Sequence, residues 1–364
     1  MKVLVMGGTQ FNGLALVNEL VSSGHDVTVL NRGKSDKVEL PRCVKRLYCD
    51  RTNSKQMKEV LGGLEFDCIQ DMSAYQIQDV QLMEEIFRGS TGHYIFASST
   101  VIYDSTKLLP ITEQHPLNDT ARQSDYGIGK IRAEEFLVSK HRETGFPATI
   151  GVLSMMFGPN NILPDREQRM FKRIESGRPV LIPGDGTTLG QIGHVEDGAR
   201  AFSMMMQKPI TFGKRYNLLS DGYYSDEGYV DTFASVMGIS AEKIFIPNKL
   251  MDDFWTGEAK IDMKKVTANI DTRSKASSDH VQMLYGLTKL IQRLGPNLHP
   301  WSHSVIFSTD RLKKDIGWSP RYTFTGAVEH TYQWYRDRRI NDTLDFDFDF
   351  EDRLIDMIRS WQYL

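Results

Sequence analysis

Near the start of the chain an apolar run, Lys2-Val-Leu-Val-Met6, passes directly into Gly7-Gly-Thr9-Gln10-Phe11-Asn12-Gly13. Leu14, Val17, Leu20 and Val21 then recur at helical spacing, and Gly24 ends the pattern. A short buried strand, a glycine turn and an amphipathic helix leave few alternatives. Gly7 is expected to make the tight turn, and Gly13 to let the helix lie close on the strand.

The same rhythm continues. DVTVL (Asp26 to Leu30), VKRLYC, FDCIQ and HYIFAS read as further strands. Helical stretches near Lys55 to Leu61 and Asp79 to Phe87 lie between the later ones. A long helix is predicted from about Asp125 to His141, with FPATIGVLS as the next strand. Alternating strands and helices imply an α/β fold, a Rossmann-type doubly wound parallel sheet. Beyond Gly158 the rhythm breaks into Gly- and Pro-rich connections such as GRPVLIPGDGTTLG. The expected division is a dinucleotide-binding domain over 1–160, with a return segment at about 190–218. Residues 161–364 are then mainly a smaller mixed α/β substrate lobe and a C-terminal cap. Trp255 to Trp301 is the longest poorly patterned stretch, and DFDFDFED (Asp345 to Asp352) is expected to pack its Phe residues on the body.

A glycine turn between strand and helix is the setting of a dinucleotide cradle, because the helix N-terminus offers free N–H groups to a phosphate. Gln10 stands where the middle glycine of the usual three would be, so the cofactor sits differently there or meets the Gln10 amide. At the end of the second strand an acid would favour NAD by binding ribose hydroxyls. The chain has Asn31, Arg32 and Lys34 instead. Arg32 suits a 2′-phosphate, which favours NADP without excluding NAD; a solvated basic turn is the plainer alternative.

FASSTVIYD follows the fifth strand and DYGIGK opens the long helix. Tyr126 and Lys130 are four apart and share a helix face. A phenol is a poor base at neutral pH, but a nearby ammonium favours phenolate. Ser99 is placed to share a hydrogen bond with Tyr126 and a substrate oxygen.

These motifs, with Cys49-Asp-Arg51, Phe157-Gly-Pro159, PGDGTTL, HVEDGARAF and DIGWSP, make the chain resemble the extended short-chain dehydrogenase/reductase family of nucleotide-sugar epimerases and dehydratases. The resemblance covers about Lys2 to Arg338. It implies a catalytic Ser99, Tyr126 and Lys130, and a cofactor held by Gly7, Thr9, Gln10, Phe11, Asn12, Gly13, Asn31 and Arg32. It also implies Asp50 and Arg51 at the adenine, and Met72, Ser73 and Ala74 along the cofactor. The substrate side would include Thr100, Tyr103 and Gln191. The GGTxFxG…NRG variant also resembles the branch that holds the chloroplast stem-loop-binding proteins.

Some family positions differ. Thr100 and Val101 occupy the sites of the dehydratase Asp-Glu pair, and Val101 transfers no proton. Gly190, followed by Gln191, stands where 4-epimerases carry a diphosphate arginine. A second arginine is absent from its expected place in NLHPWSHSVIFSTDRL. Arg169, Lys172 and Arg173 are the candidate substitutes, or else a solvated helix face. Other residues invite plainer readings. His194 is expected to brace its loop, and Arg132, Glu134 and Glu135 to form a solvated helix face. A metal site at His299 and His303 is disfavoured by Pro300.

Net charge is -3, which argues against a dedicated nucleic-acid binder. Cys43, Cys49 and Cys68 are irregularly spaced and suit a reducing compartment. No leader pattern or membrane-length apolar run is evident, so a cytoplasmic location is expected. The reading that results is an NAD(P)-dependent epimerase acting on a sugar or nucleotide sugar as a possible homodimer. An NAD(P)-dependent dehydrogenase or ketoreductase is the enzymatic alternative, and a non-catalytic RNA-binding member the other.

Overall fold

Leu4 and Met6 face one side of strand β1 (Lys2–Met6), and Val3 and Val5 face the other. All four are buried, so the strand needs cover on both faces, which is the condition inside a parallel sheet. The computed structural model describes residues 1–34, 39–121, 123–163, 166–256, 302–340, 346 and 348–361.

Five further strands follow: β2 (Asp26–Asn31), β3 (Lys45–Tyr48), β4 (Cys68–Asp71), β5 (Tyr94–Ser99) and β6 (Ala148–Leu153). The helices among them are α1 (Phe11–Ser22), α2 (Ser54–Leu61), α3 (Ile77–Phe87) and α4 (Asp125–Thr144). The second half adds short strands β7 (Met156–Phe157), β8 (Val180–Pro183), β9 (Leu189–Gly190) and β10 (Gly193–His194). It then supplies β11 (Arg215–Leu218), β12 (Tyr224–Ser225) and β13 (Lys243–Ile246). Its helices are α5 (Glu167–Glu175), α6 (Val195–Met205), α7 (Asp226–Met237) and α8 (Asn248–Thr256).

The main sheet has seven parallel strands in the order β11-β6-β5-β4-β1-β2-β3. The chain leaves β1 for β2 on one side and later returns to β4 on the other. That reversal opens a crevice at the carboxyl ends of the strands. Val3, Val5, Leu16, Leu20 and Phe202 fill the layer under α1 and α6. Leu4, Met6, Met83, Phe87 and Ile131 fill the opposite layer under α3 and α4. Helix α4 runs past the predicted His141 to Thr144, because its stop is Gly145 at φ 72°.

The second half pairs its strands in twos: β7 with β10, β9 with β12, and β8 with β13. Its core is aromatic. Phe157, Phe171, Tyr229, Phe233 and Phe324 are buried together, Phe324 opening the helix Phe324–Asp337. Trp255 and Thr256 end α8, while residues 257–301, His299 included, lie outside the described residues.

The closing helix, Asp349–Trp361, lies against α5. Phe348 is buried beneath the guanidinium groups of Arg169, Arg173 and Arg178, at 4.6, 5.2 and 5.4 Å from its ring centre. Glu134, expected on a solvated face, is fully buried and paired with Arg215 of β11. Arg132 does stay at the surface, paired with Asp119 and Glu135. Among the described residues no helix is long and apolar enough to cross a membrane.

Candidate active site

The glycine turn sits at the carboxyl end of β1. Gly7 has φ +84°, where L side chains are strained, and its N–H donates to Leu30 O at 3.1 Å. A Cβ on Gly13 would lie 2.0 Å from the Gly7 carbonyl oxygen, so only glycine lets α1 start this close to β1. Thr9 and Phe11 are buried. Gln10 precedes the helix without capping it through its side chain.

Two buried polar atoms here have no partner among the described residues: Asn12 Oδ1 in the turn and Asn31 Nδ2 at the end of β2. Asn31 Oδ1 is occupied by the Gly33 N–H at 2.8 Å. One free acceptor and one free donor, beside a helix N-terminus, fit the hydroxyls and phosphates of a dinucleotide. At the far end, the Thr52 N–H and hydroxyl, and then the fields of Arg32 and Lys34, hold the Asp50 carboxyl below its ordinary range. Asp50, Arg32 and Lys34 therefore share one edge of the crevice.

Arg51 does not face that edge. Its guanidinium turns inward to Asp71 at 2.8 and 3.0 Å, to Asp79 at 3.1 Å and to Ser73 Oγ at 2.9 Å. Of the two residues expected at the adenine, Arg51 therefore has its side chain committed to protein partners. Burial alone would raise the Asp71 carboxyl, but Arg51, the Tyr94 hydroxyl and the Ser73 N–H outweigh it and hold it low. Ser73 and Ala74 also donate their N–H groups to Asp71, at 3.1 and 3.0 Å. The buried pair thus shapes the Met72–Ala74 loop.

Ser99 ends β5 and caps a short turn, Thr100–Ile102. Gln123 Nε2 donates to Val101 O at 2.8 Å, and the Ser124 hydroxyl caps α4 by accepting from Gly127 N at 3.1 Å. These bonds bring the first turn of α4 beside the end of β5. Gly129 matters equally, since a Cβ there would lie 2.3 Å from Tyr75 O. Its absence lets α4 approach the Ala74 loop.

Lys130 is 3% exposed and donates to Ala74 O at 2.7 Å and Ala97 O at 2.6 Å. An ammonium has three donors, so one remains. Burial lowers its pKa to about 8. Its Nζ lies 4.7 Å from the Phe96 ring centre, 5.1 Å from that of Tyr75 and 5.6 Å from that of Tyr126. Tyr126 is 40% exposed, at the mouth, with the Tyr75 ring 5.9 Å away. Burial of its phenol raises the pKa to about 12; a hydrogen bond with Ser99 and the field of Arg166 oppose the rise. With both ammonium bonds made to carbonyls, Ser99 is the first group that favours phenolate.

Several expected substrate residues are sequestered. Thr100 is buried in the turn. Tyr103 is buried too, and its hydroxyl donates to Asn217 Oδ1 at 2.6 Å. Gln191 uses both ends of its amide, donating to Ser220 O at 2.7 Å and accepting from Phe307 N at 2.7 Å. Arg169 pairs with Glu351, and Arg173 with Asp352 and the Pro179 carbonyl. Tyr103, Gln191, Arg169 and Arg173 brace the protein interior instead of lining an open cleft, because each meets a protein partner brought from far along the chain.

His194 braces its loop, as expected. Its Nδ1 accepts from Glu196 N at 3.2 Å, so its proton lies on Nε2, 3.1 Å from His330 Nδ1. Glu196 completes a His-Glu-His cluster, but that protonated Nε2 has no lone pair for a metal. Arg166 and Tyr75 were missed in the sequence. No periodic or motif signal marks either; both sit on connections whose direction depends on packing.

A seven-stranded parallel sheet, a glycine turn at its switch point and a hydroxyl–phenol–ammonium cluster across the crevice define a Rossmann-type dinucleotide-binding architecture. The chain belongs to the NAD dependent epimerase/dehydratase family, whose profile matches residues 3–218. It is 29% identical over 265 residues to the chloroplast stem-loop binding protein of 41 kDa b of Arabidopsis thaliana, covering 70% of this chain and 68% of that one. It is 27% identical over 169 residues to a UDP-glucose 4-epimerase of Lactobacillus helveticus, covering 41% of this chain and 50% of that one. The fold resembles that of UDP-glucuronic acid 4-epimerase from Bacillus cereus, solved in complex with NAD. There the TM-score is 0.66 at 16% identity, over 93% of this chain and 99% of that one. Family and neighbours together indicate a nicotinamide cofactor.

Proposed function

We propose that this protein is an NAD(P)-dependent epimerase acting on a sugar or nucleotide sugar. The observation that carries the reading is the meeting of Ser99, Tyr126 and Lys130 at the carboxyl edge of the sheet. Tyr126 removes the proton from a substrate hydroxyl, and Ser99 hydrogen-bonds the oxygen that loses it. Lys130 uses its remaining N–H to hold the nicotinamide ribose and, once turned towards it, favours the phenolate. A nicotinamide held there would supply a hydride acceptor for the hydroxyl carbon and a hydride donor to the opposite face of the ketone, so the configuration would invert without net redox change. Val101 leaves no acid for water elimination in the dehydratase position, so dehydration is not part of the reading.

Residues 1–160 with 190–218 carry the cofactor in this reading, and the remainder shapes the substrate side. Arg32 favours NADP. Helices α3 and α4, which pack on each other, are the faces proposed to meet those of a second copy. The proposed compartment is the cytoplasm. The decisive experiment incubates the cofactor-loaded protein with candidate sugars and follows both epimer formation and external NAD(P)H. Epimer without cofactor consumption supports the proposal. Stoichiometric consumption assigns a net dehydrogenase or ketoreductase instead.

A second reading, RNA binding, is favoured by the similarity to the stem-loop binding protein. The net charge of -3 weighs against it. Filter binding at graded salt separates the two, because phosphate-driven affinity falls steeply with salt.

A further inference from the structure

The substrate side lacks its two usual cations. Gly190 is a buried strand residue paired with Tyr224, and Arg169 and Arg173 belong to the tail. Arg166 is different. It immediately precedes α5, with its N–H 3.4 Å from Leu163 O and its carbonyl 3.3 Å from Met170 N. The residues around it are committed. Glu167 accepts from Asn161 Nδ2 at 2.8 and 3.0 Å, and Gln168 donates to Asn161 O at 2.7 Å. The Arg166 guanidinium is half-buried and has no hydrogen bond or ion pair among the described residues. Its field reaches the phenols of Tyr126 and Tyr229.

The neighbouring Glu167 carboxyl attracts the Arg166 guanidinium through space but is hydrogen-bonded to Asn161. A cation taken partly out of water without a hydrogen-bonded counter-charge is costly. It sits at the N-terminus of a nine-residue helix, where the backbone dipole also attracts negative charge. Lys130 is held by two carbonyls, and Arg32 and Lys34 lie at the Asp50 edge of the crevice.

We propose that Arg166 receives an anionic group of the substrate, a carboxylate or a phosphate, beside the hydroxyl that Tyr126 deprotonates. The preferred substrate is then an anionic sugar. The inference rests on the catalytic reading of Tyr126, but its test reads binding alone. A planar guanidinium grips two oxygens of such a group at once, which an ammonium does not.

The test is calorimetric titration of the full NAD-loaded chain with D-glucose, D-glucuronate, glucose 1-phosphate and inorganic phosphate. In the wild type at least one anionic sugar binds about tenfold or more tighter than D-glucose, equivalent to about 1.4 kcal/mol. Arg166→Gln brings that ratio to within about twofold, Arg166→Lys keeps part of it, and Tyr126→Phe keeps all of it. Cofactor affinity and thermal midpoint, measured on each variant, show that the fold survives. Dependence on Arg166 for glucuronate alone identifies a carboxylate; for glucose 1-phosphate and phosphate alone, it identifies a phosphate. An anion preference that persists in Arg166→Gln overturns the inference, and so does its absence in the wild type. Arg166-dependent binding without hydride transfer to any sugar would refute the catalytic reading and leave this one standing. Epimerisation of a neutral sugar that ignores Arg166→Gln would do the reverse.

Discussion

Arg169 on α5 and Glu351 on the closing helix form a buried ion pair, with Nε and Oε1 2.9 Å apart across 182 residues of sequence. The pair fastens the tail to the helix that Arg166 precedes. Removing one partner leaves a buried charge uncompensated, which costs about 3–5 kcal/mol. Arg169→Met is therefore expected to lower the thermal midpoint clearly while cofactor affinity holds. Arg169→Met combined with Glu351→Leu should recover part of the loss. An unchanged midpoint in the single variant would refute the structural role given to Arg169.

Tyr126→Phe keeps the ring beside Tyr75 and removes the base. Turnover is expected to fall by about 10²-fold or more, with little change in cofactor affinity. Single-turnover kinetics check this. Turnover like the wild type's would remove Tyr126 from the chemistry.

Arg32 and Lys34 act on Asp50 at the adenosine end. Two cations facing one carboxylate leave net positive charge for a 2′-phosphate. Calorimetry with NADP and NAD should show tighter NADP binding in the wild type and a reduced difference in Arg32→Ala. Equal affinities in the wild type count against the preference.

His93 is buried immediately before β5. Its Nδ1 accepts from Gln207 N at 3.2 Å, so its Nε2 donates to Thr149 Oγ1 at 2.8 Å. Burial lowers its pKa from 6.5 to about 3. Between those values the unfolded chain binds the proton and the folded one does not. Stability is thus kept above pH 6.5 and lost as pH falls towards 3, by up to about 1.4 kcal/mol per pH unit. Urea unfolding at pH 7 and pH 5 should show a smaller acid loss in His93→Gln than in the wild type. Parallel losses would show that this histidine does not drive it.

Local sequence was enough for the strand–turn–helix opening, the alternation up to β6 and the Tyr126–Lys130 spacing. Each depends on periodicity or on neighbours within a turn or two, and the apolar pattern of β1 already demands cover on both faces. The glycine turn and the Ser99 strand end were legible for the same reason. The destinations of the charges were not. Arg51, Glu134, Arg169 and Arg173 look alike as surface cations and anions in sequence. Whether each meets water, a ligand or a counter-charge depends on Asp71, Arg215, Glu351 and Asp352, which only folding brings near. Tyr103 and Gln191 were taken inward by Asn217, Ser220 and Phe307 in the same way. Arg166 meets no distant counter-charge among the described residues, and its field reaches the Tyr126 phenol. Sequence determined which elements form, because that follows from local geometry and apolar spacing. Tertiary structure decided which polar groups remain open for chemistry, because desolvation penalises a buried charge that lacks a partner, and the partners of Arg51, Glu134, Arg169 and Arg173 come from distant parts of the chain.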